Sequence, residues 1–134
     1  MNLQEQLSLI KSLITRTNSA KQIIKSSNFP IKNLRRPNGV IGTQGFTSES
    51  LINLINHISK TEKIALPKYT TLTELISNLK KKPESVNKIV NYLKKDPIVV
   101  LELPDLSYQI KDGNHRANLL NLLGVENIPT IIVK

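Results

Sequence analysis

Three runs near the end of the chain, Ile98-Val99-Val100-Leu101-Glu102-Leu103, Ser107-Tyr108-Gln109-Ile110-Lys111 and Asp112-Gly113-Asn114-His115-Arg116, decide how the rest is read. The first is β-branched and of strand length, the second is strand-like, and Pro104-Asp105-Leu106 between them is a turn, so together they predict a hairpin. Behind the third run stands Ala117-Asn118-Leu119-Leu120-Asn121-Leu122-Leu123, a helix-forming stretch stopped by Gly124, and then the strand Ile128-Pro129-Thr130-Ile131-Ile132-Val133. Asp112 to Arg116 therefore falls where a strand turns into a helix N-terminus. Such a terminus offers unpaired backbone N–H groups and a partial positive charge, both favourable to phosphate or carboxylate. Arg116 adds a fork that can grip an anion through two hydrogen bonds.

Upstream, apolar spacing predicts helices. Val86, Ile89, Val90 and Leu93 form one stripe after Pro83, and Leu72, Leu75, Ile76 and Leu79 form another. That second stripe is opened by the capping-box pattern Thr71-Leu72-Thr73-Glu74 and closed by Lys80-Lys81-Lys82, whose charges suit a helix C-terminus. A third helix, capped by Thr47 or Ser48, carries Leu51, Leu54, Ile55 and Ile58 on one face, with His57 beside the stripe as a surface residue. Leu3, Leu7, Ile10 and Ile14 predict an amphipathic helix over residues 3–16, and Asn18 or Ser19 is placed to cap a shorter one through Ala20, Ile23 and Ile24. Between these, residues 29–37 are bounded by Pro30 and Pro37, which predicts a short edge strand and a basic turn that brings Arg35 and Arg36 toward the site. The glycines in residues 38–45 lack the Lys-Ser/Thr ending of a phosphate-binding loop and predict a plain flexible loop.

Composition narrows the chemistry. The chain has 134 residues, enough for a cored domain, and no cysteine, which removes disulfides, thiolate metal sites and thiol nucleophiles. With two histidines and no carboxylate pair at ligand spacing beside either, a histidine metal site is not expected. No apolar run approaches the roughly 20 residues of a membrane span, and the start lacks the basic-then-apolar order of a signal peptide, so a soluble cytoplasmic protein is expected, with export as an effector left open. A net charge of +9 favours nucleic acid, nucleotides or another acidic partner. Residues 1–46 hold seven basic side chains and one acidic one, a bias that a solvated Lys-rich surface explains as well as a binding face does.

The last forty residues carry a resemblance. Pro97-Ile98-Val99-Val100, the hairpin, Asp112-Gly113-Asn114-His115-Arg116-Ala117, Leu123-Gly124 and Ile128-Pro129 resemble the ParB/sulfiredoxin superfamily, which sets a Gly-x-x-Arg turn between a hairpin and a helix ending in Leu-Gly. Upstream the likeness is looser. It implies an α+β fold with a small mixed sheet, residues 29–134 as the family-like domain, and residues 1–28 as an added N-terminal helical extension able to meet a protein partner. It also implies a nucleotide-phosphate turn for ATP or CTP, in which Gly113 permits the bend, Asn114 and His115 present donors, and Arg116 neutralises charge. Asp112 is then placed to orient His115, accept a proton or hold Mg²⁺, and Glu102, Arg35 and Arg36 are accessory candidates.

Two branches of that superfamily are not expected. Asn114 stands where sulfiredoxin needs cysteine, which excludes sulfinic acid reduction, and no helix-turn-helix module follows the fold before Lys134, which argues against centromere partition. The functional expectation is phosphoryl chemistry by a nuclease or a nucleotide-hydrolysing or kinase-like enzyme, in the manner of a bacterial toxin or effector domain. Its alternatives are a non-catalytic, nucleotide-responsive DNA-binding regulator and a protein-interaction module. The plainest alternative is structural: an ordinary Asp-Gly turn with Arg116 paired to Glu102 or Asp105.

Overall fold

In chain order, the computed structural model has α1 (Leu3–Thr17), β1 (Ile23–Pro30), a 3-10 turn (Ile31–Asn33), β2 (Leu34–Arg36), β3 (Gly39–Val40), α2 (Ser48–Glu62), α3 (Leu72–Lys80), α4 (Pro83–Leu93), β4 (Ile98–Glu102), β5 (Tyr108–Asp112), α5 (Asn114–Leu122) and β6 (Asn127–Val133). It describes residues 2–17, 23–36, 39–40 and 47–134. The fold is α+β. Local chemistry sets most boundaries. The Thr47 hydroxyl accepts from the Ser50 N–H to cap α2, the Thr71 hydroxyl accepts from the Glu74 N–H to cap α3, and Pro83 occupies the first turn of α4. At the end of α5, Gly124 at φ +83 lets its own N–H reach the Asn121 carbonyl and the Val125 N–H reach that of Leu120, which satisfies two end carbonyls.

Six strands pair in the order β1-β6-β4-β5-β2-β3. The expected hairpin is β4 with β5, antiparallel, while β6 runs parallel to β4 and β2 parallel to β5. β5 is thus flanked on both sides at Tyr108 and Gln109, while its Asp112 end pairs with β4 alone. Pro129 lies inside β6 at no cost to the ladder, because the register of β1 slips between Ser26 and Phe29 and leaves a bulge opposite it.

The sheet is strongly curled. β1 and β2 are four neighbour steps apart, about 19 Å if the sheet were flat. The chain crosses between them through Ile31–Asn33 alone, a reach of at most roughly 14 Å. Phe29 of β1 accordingly meets Tyr108 of β5 edge to face, ring centroids 4.9 Å apart. Inside the curl, Ile98 and Val100 of β4, Ile110 of β5, and Ile128 and Ile132 of β6 pack with Leu51, Ile55, Leu75, Leu79, Ile89, Leu93, Leu119 and Leu120 of the helices. The alternate residues Val99, Ile131 and Val133 face the other way, onto Ile10 of α1. Burial on both faces is why these strands read as unbroken apolar runs.

Two expectations change at the N-terminus. The second helix, predicted through Ala20, Ile23 and Ile24, is replaced from Ile23 onward by β1, so a boundary at residue 28 would cut a strand paired to β6; its cap residues Asn18 and Ser19 lie outside the described residues. Paired length on β6 outweighs weak local helix propensity here. In α1, Leu3 and Leu7 are exposed, and Gln6 joins Ile10 on the inner face instead. No helix among the described residues is long and apolar enough to cross a membrane.

The β4–β5 turn stores strain in one exposed residue, Leu106, at φ 66. An apolar side chain in the left-handed region costs on the order of 1 kcal/mol. Replacing Leu106 by Asn, which tolerates that region, is expected to stabilise the fold by about 0.5–1 kcal/mol in urea denaturation.

Candidate functional site

The site is assembled by a bulge, a glycine and a helix start. Val100 pairs with Ile110 but Val99 pairs with Asp112, so Lys111 is an extra residue in β5, and it turns Asp112 to the Val99 side of the sheet. Gly113 follows at φ +100, and α5 begins without a side-chain cap, its first helical bond running from the Ala117 N–H to the Gly113 carbonyl at 2.8 Å. The N–H groups of the first turn therefore have no carbonyl of α5 to bond. This turn lines a cleft of ≈ 300 Å³ together with Leu54 of α2, Tyr92 and Leu93 of α4, and Asp96, the motif contributing Asp112 through Arg116.

Arg116 is anchored at the back of this cleft. Its Nη2 donates to Asp112 Oδ2 at 3.0 Å and its Nη1 to the Asp96 carbonyl at 2.7 Å, so one guanidinium joins α5, β5 and the turn after α4. Both charged side chains are largely buried, at 15% and 12% exposure. Behind them Gln6 of α1, fully buried, donates from Nε2 to the Pro97 carbonyl and, at 3.4 Å, to Asp112 Oδ2. The expected anion fork is thus engaged with Asp112 and a backbone carbonyl, and the alternative pairing of Arg116 with Glu102 or Asp105 does not occur. Asp105 instead accepts from Ser107, through its N–H at 3.0 Å and its hydroxyl at 2.6 Å.

The other candidates divide clearly. His115 is exposed at the cleft mouth, one helical position from Asn114. Glu102 is at the far end of β4, about 13 Å along the strand from Ile98, where it accepts from the Tyr108 hydroxyl at 3.2 Å and lies 3.9 Å from the Lys134 amine. It does not line the cleft. Burial, then the hydrogen bond to Glu102 and the Glu102 charge, push the Tyr108 hydroxyl above its ordinary pKa. Arg35 pairs in register with Gln109, so β2 runs toward the Asp112 end of β5. The Arg35 and Arg36 side chains lie outside the described residues, as do Asn38 and residues 41–46 of the glycine-containing loop.

Asp112 is the carboxylate of the motif that a magnesium ion would need. Asp112 faces Arg116 rather than a second acid, and among the described residues no three of His, Cys, Asp and Glu gather. The polar groups around the turn are otherwise imperfectly matched: Gln6 Oε1 and Asn114 Oδ1 are buried without a hydrogen-bond donor, each at a cost of about 1–3 kcal/mol. Such mismatch concentrates where a fold serves a site rather than its own stability. A larger depression, ≈ 500 Å³, lies at the opposite end of α5 between Lys32, Asn121, Gly124 and Glu126. It contains none of the motif, and its size alone gives it no chemistry.

Tyr92 and Asp96 line the cleft and Gln6 lies buried behind it, and sequence reasoning singled out none of the three. Comparison with protein-family models, curated proteins and solved structures found no match.

Proposed function

We propose that the chain is a phosphate-binding domain acting on nucleotides or nucleic acid, with the ParB/sulfiredoxin fold as its architecture. The observation that carries the reading is the uncapped N-terminus of α5 opening on a cleft with His115 at its mouth. The order β4, β5, α5, β6 matches the hairpin-helix-strand unit of that superfamily. In this reading the first-turn N–H groups hold a phosphate oxygen, and the Arg116–Asp112 pair fixes the turn that presents them. Hydrolysis of a phosphate ester is the reaction that suits it. The oxygen of a water bonds to phosphorus, the ester P–O bond breaks, the His115 imidazole takes the water proton, and the departing oxygen takes a proton from solvent water, to which His115 later returns its own.

A second reading is favoured by one observation: the acid and the cation of the motif are bound to each other, an arrangement that suits a rigid binder as well as an enzyme. It makes the chain a non-catalytic nucleotide-responsive regulator. Thermal unfolding with ATP, CTP, GTP and short oligonucleotides tests the shared premise, since a ligand at 100 times its Kd adds about 2.7 kcal/mol. At least one should raise the midpoint, and a flat response across the panel sinks the phosphate site. His115→Ala should keep most of that shift while reducing any hydrolysis by about 100-fold or more. Binding with no turnover in the unaltered protein selects the regulator.

A further inference from the structure

The wall of the cleft opposite α5 has a pattern of its own. Tyr92 is the aromatic side chain lining it, half-buried, with Leu54 and Leu93 beside it. His57 of α2, i+3 from Leu54, stands against the Tyr92 ring edge to face at a centroid distance of 6.2 Å. The Lys95 amine lies over the same ring, 5.2 Å from its centroid. Lys88, Tyr92 and Lys95 are spaced by four and three residues, so they follow one face of α4 and the turn beyond it, and both lysines are exposed. An aromatic ring between two cations, running up to a helix N-terminus, alternates the two contacts that a nucleic-acid strand repeats: base and phosphate.

Resting on the phosphate-site reading, we propose that the ligand is a single-stranded polynucleotide, laid along α4 with one phosphate at the start of α5 and the adjoining base against Tyr92 and His57. Lys88 and Lys95 meet the flanking phosphates. A duplex keeps its bases stacked on each other and has none to offer Tyr92, whereas a single strand presents them. A free nucleotide fills the phosphate position but leaves the lysines unused. Lys95 now meets Glu62 at 3.5 Å, a surface pair worth little, and the Tyr92 ring at 5.2 Å, so a strand that takes its amine to a phosphate also clears that ring for a base. The net charge of +9 complements such a strand.

Fluorescence anisotropy with a short labelled single strand, in DNA and RNA arms, against the matched duplex and free CTP, tests this on the full chain. The single strand should bind roughly tenfold or more tighter than either competitor, and Tyr92→Leu should weaken it by about tenfold while Tyr92→Phe leaves it nearly unchanged. Replacing Lys88 and Lys95 together by Gln should lower the slope of log affinity against log salt by about 1 to 1.4. Circular dichroism checks that Tyr92→Leu is folded; if it is not, the lysine pair and the competitor series still decide. Equal binding of duplex and single strand, or an unchanged affinity in folded Tyr92→Leu, overturns the strand proposal. Stabilisation by CTP or inorganic phosphate without strand binding overturns it too, yet leaves the phosphate site standing, and absence of both removes both.

Discussion

Gly113→Ala is expected to destabilise the fold by about 3–5 kcal/mol, whereas Gly124→Ala, at the other end of the same helix, should cost only about 1 kcal/mol. Both glycines have positive φ, +100 and +83, so the backbone penalty for a side chain is shared. The surroundings differ. A Cβ at Gly113 would stand 2.5 Å from Ile98 Cγ2, 3.0 Å from Ile98 Cβ and 3.1 Å from Arg116 Nη2, while one at Gly124 meets nothing within 4 Å. Ile98 is a buried residue of β4 packed in the main core and has nowhere to retreat. Either β4 shifts, or the start of α5 lifts away and takes the Arg116 contacts with it. With a domain stability of about 5–15 kcal/mol, the loss is a large share of the total. Urea midpoints of the two variants at matched slope give the difference directly. Equal costs at both positions would mean that the close approach of α5 to β4 is not a determinant of the fold.

How far the molecule was legible in its sequence follows the range of the interactions involved. The stripes of α2, α3 and α4, the Thr71 cap, the hairpin and the Gly124 stop are local, and each is set by residues within a turn or two of one another, although Glu74 closes back on Thr70 rather than on Thr71. β1 was not legible. Ile23-Ile24-Lys25-Ser26 has no alternation of its own and is a strand because Ile24 and Lys25 pair with Ile132 and Ile131, more than a hundred residues on. Gln6 was hidden for the same reason, since a polar residue on a surface helix is expected to face water and its burial depends on Pro97 and Asp112. The Arg116–Asp112 pair is a different case. Its spacing of four residues across a glycine turn is in the sequence, but the ligand reading assigns both groups to a phosphate and the structural alternative pairs Arg116 with Glu102 or Asp105.

That pair is the subject of the second large effect. Arg116→Met is expected to cost about 3 kcal/mol, because it leaves the Asp112 carboxylate at 12% exposure with only the distant Gln6 amide, and takes the donor from the Asp96 carbonyl. Asp112→Asn should cost about 1–2 kcal/mol, since an amide oxygen still accepts from Arg116. Combining them should be milder than the sum by about 2 kcal/mol, the charge that Arg116→Met strands having been removed. A double-mutant cycle in urea measures that coupling. The same cycle separates two roles for Arg116. A guanidinium that ties α5 to β5 and to the turn after α4 yields a large coupling with or without nucleotide, and its loss weakens phosphate binding only as far as the turn loosens. A guanidinium that serves chiefly as the anion's partner yields a stability cost below about 1 kcal/mol together with loss of nucleotide-induced stabilisation. The two hydrogen bonds at 3.0 and 2.7 Å, both to groups of the chain itself, place the expectation on the first outcome.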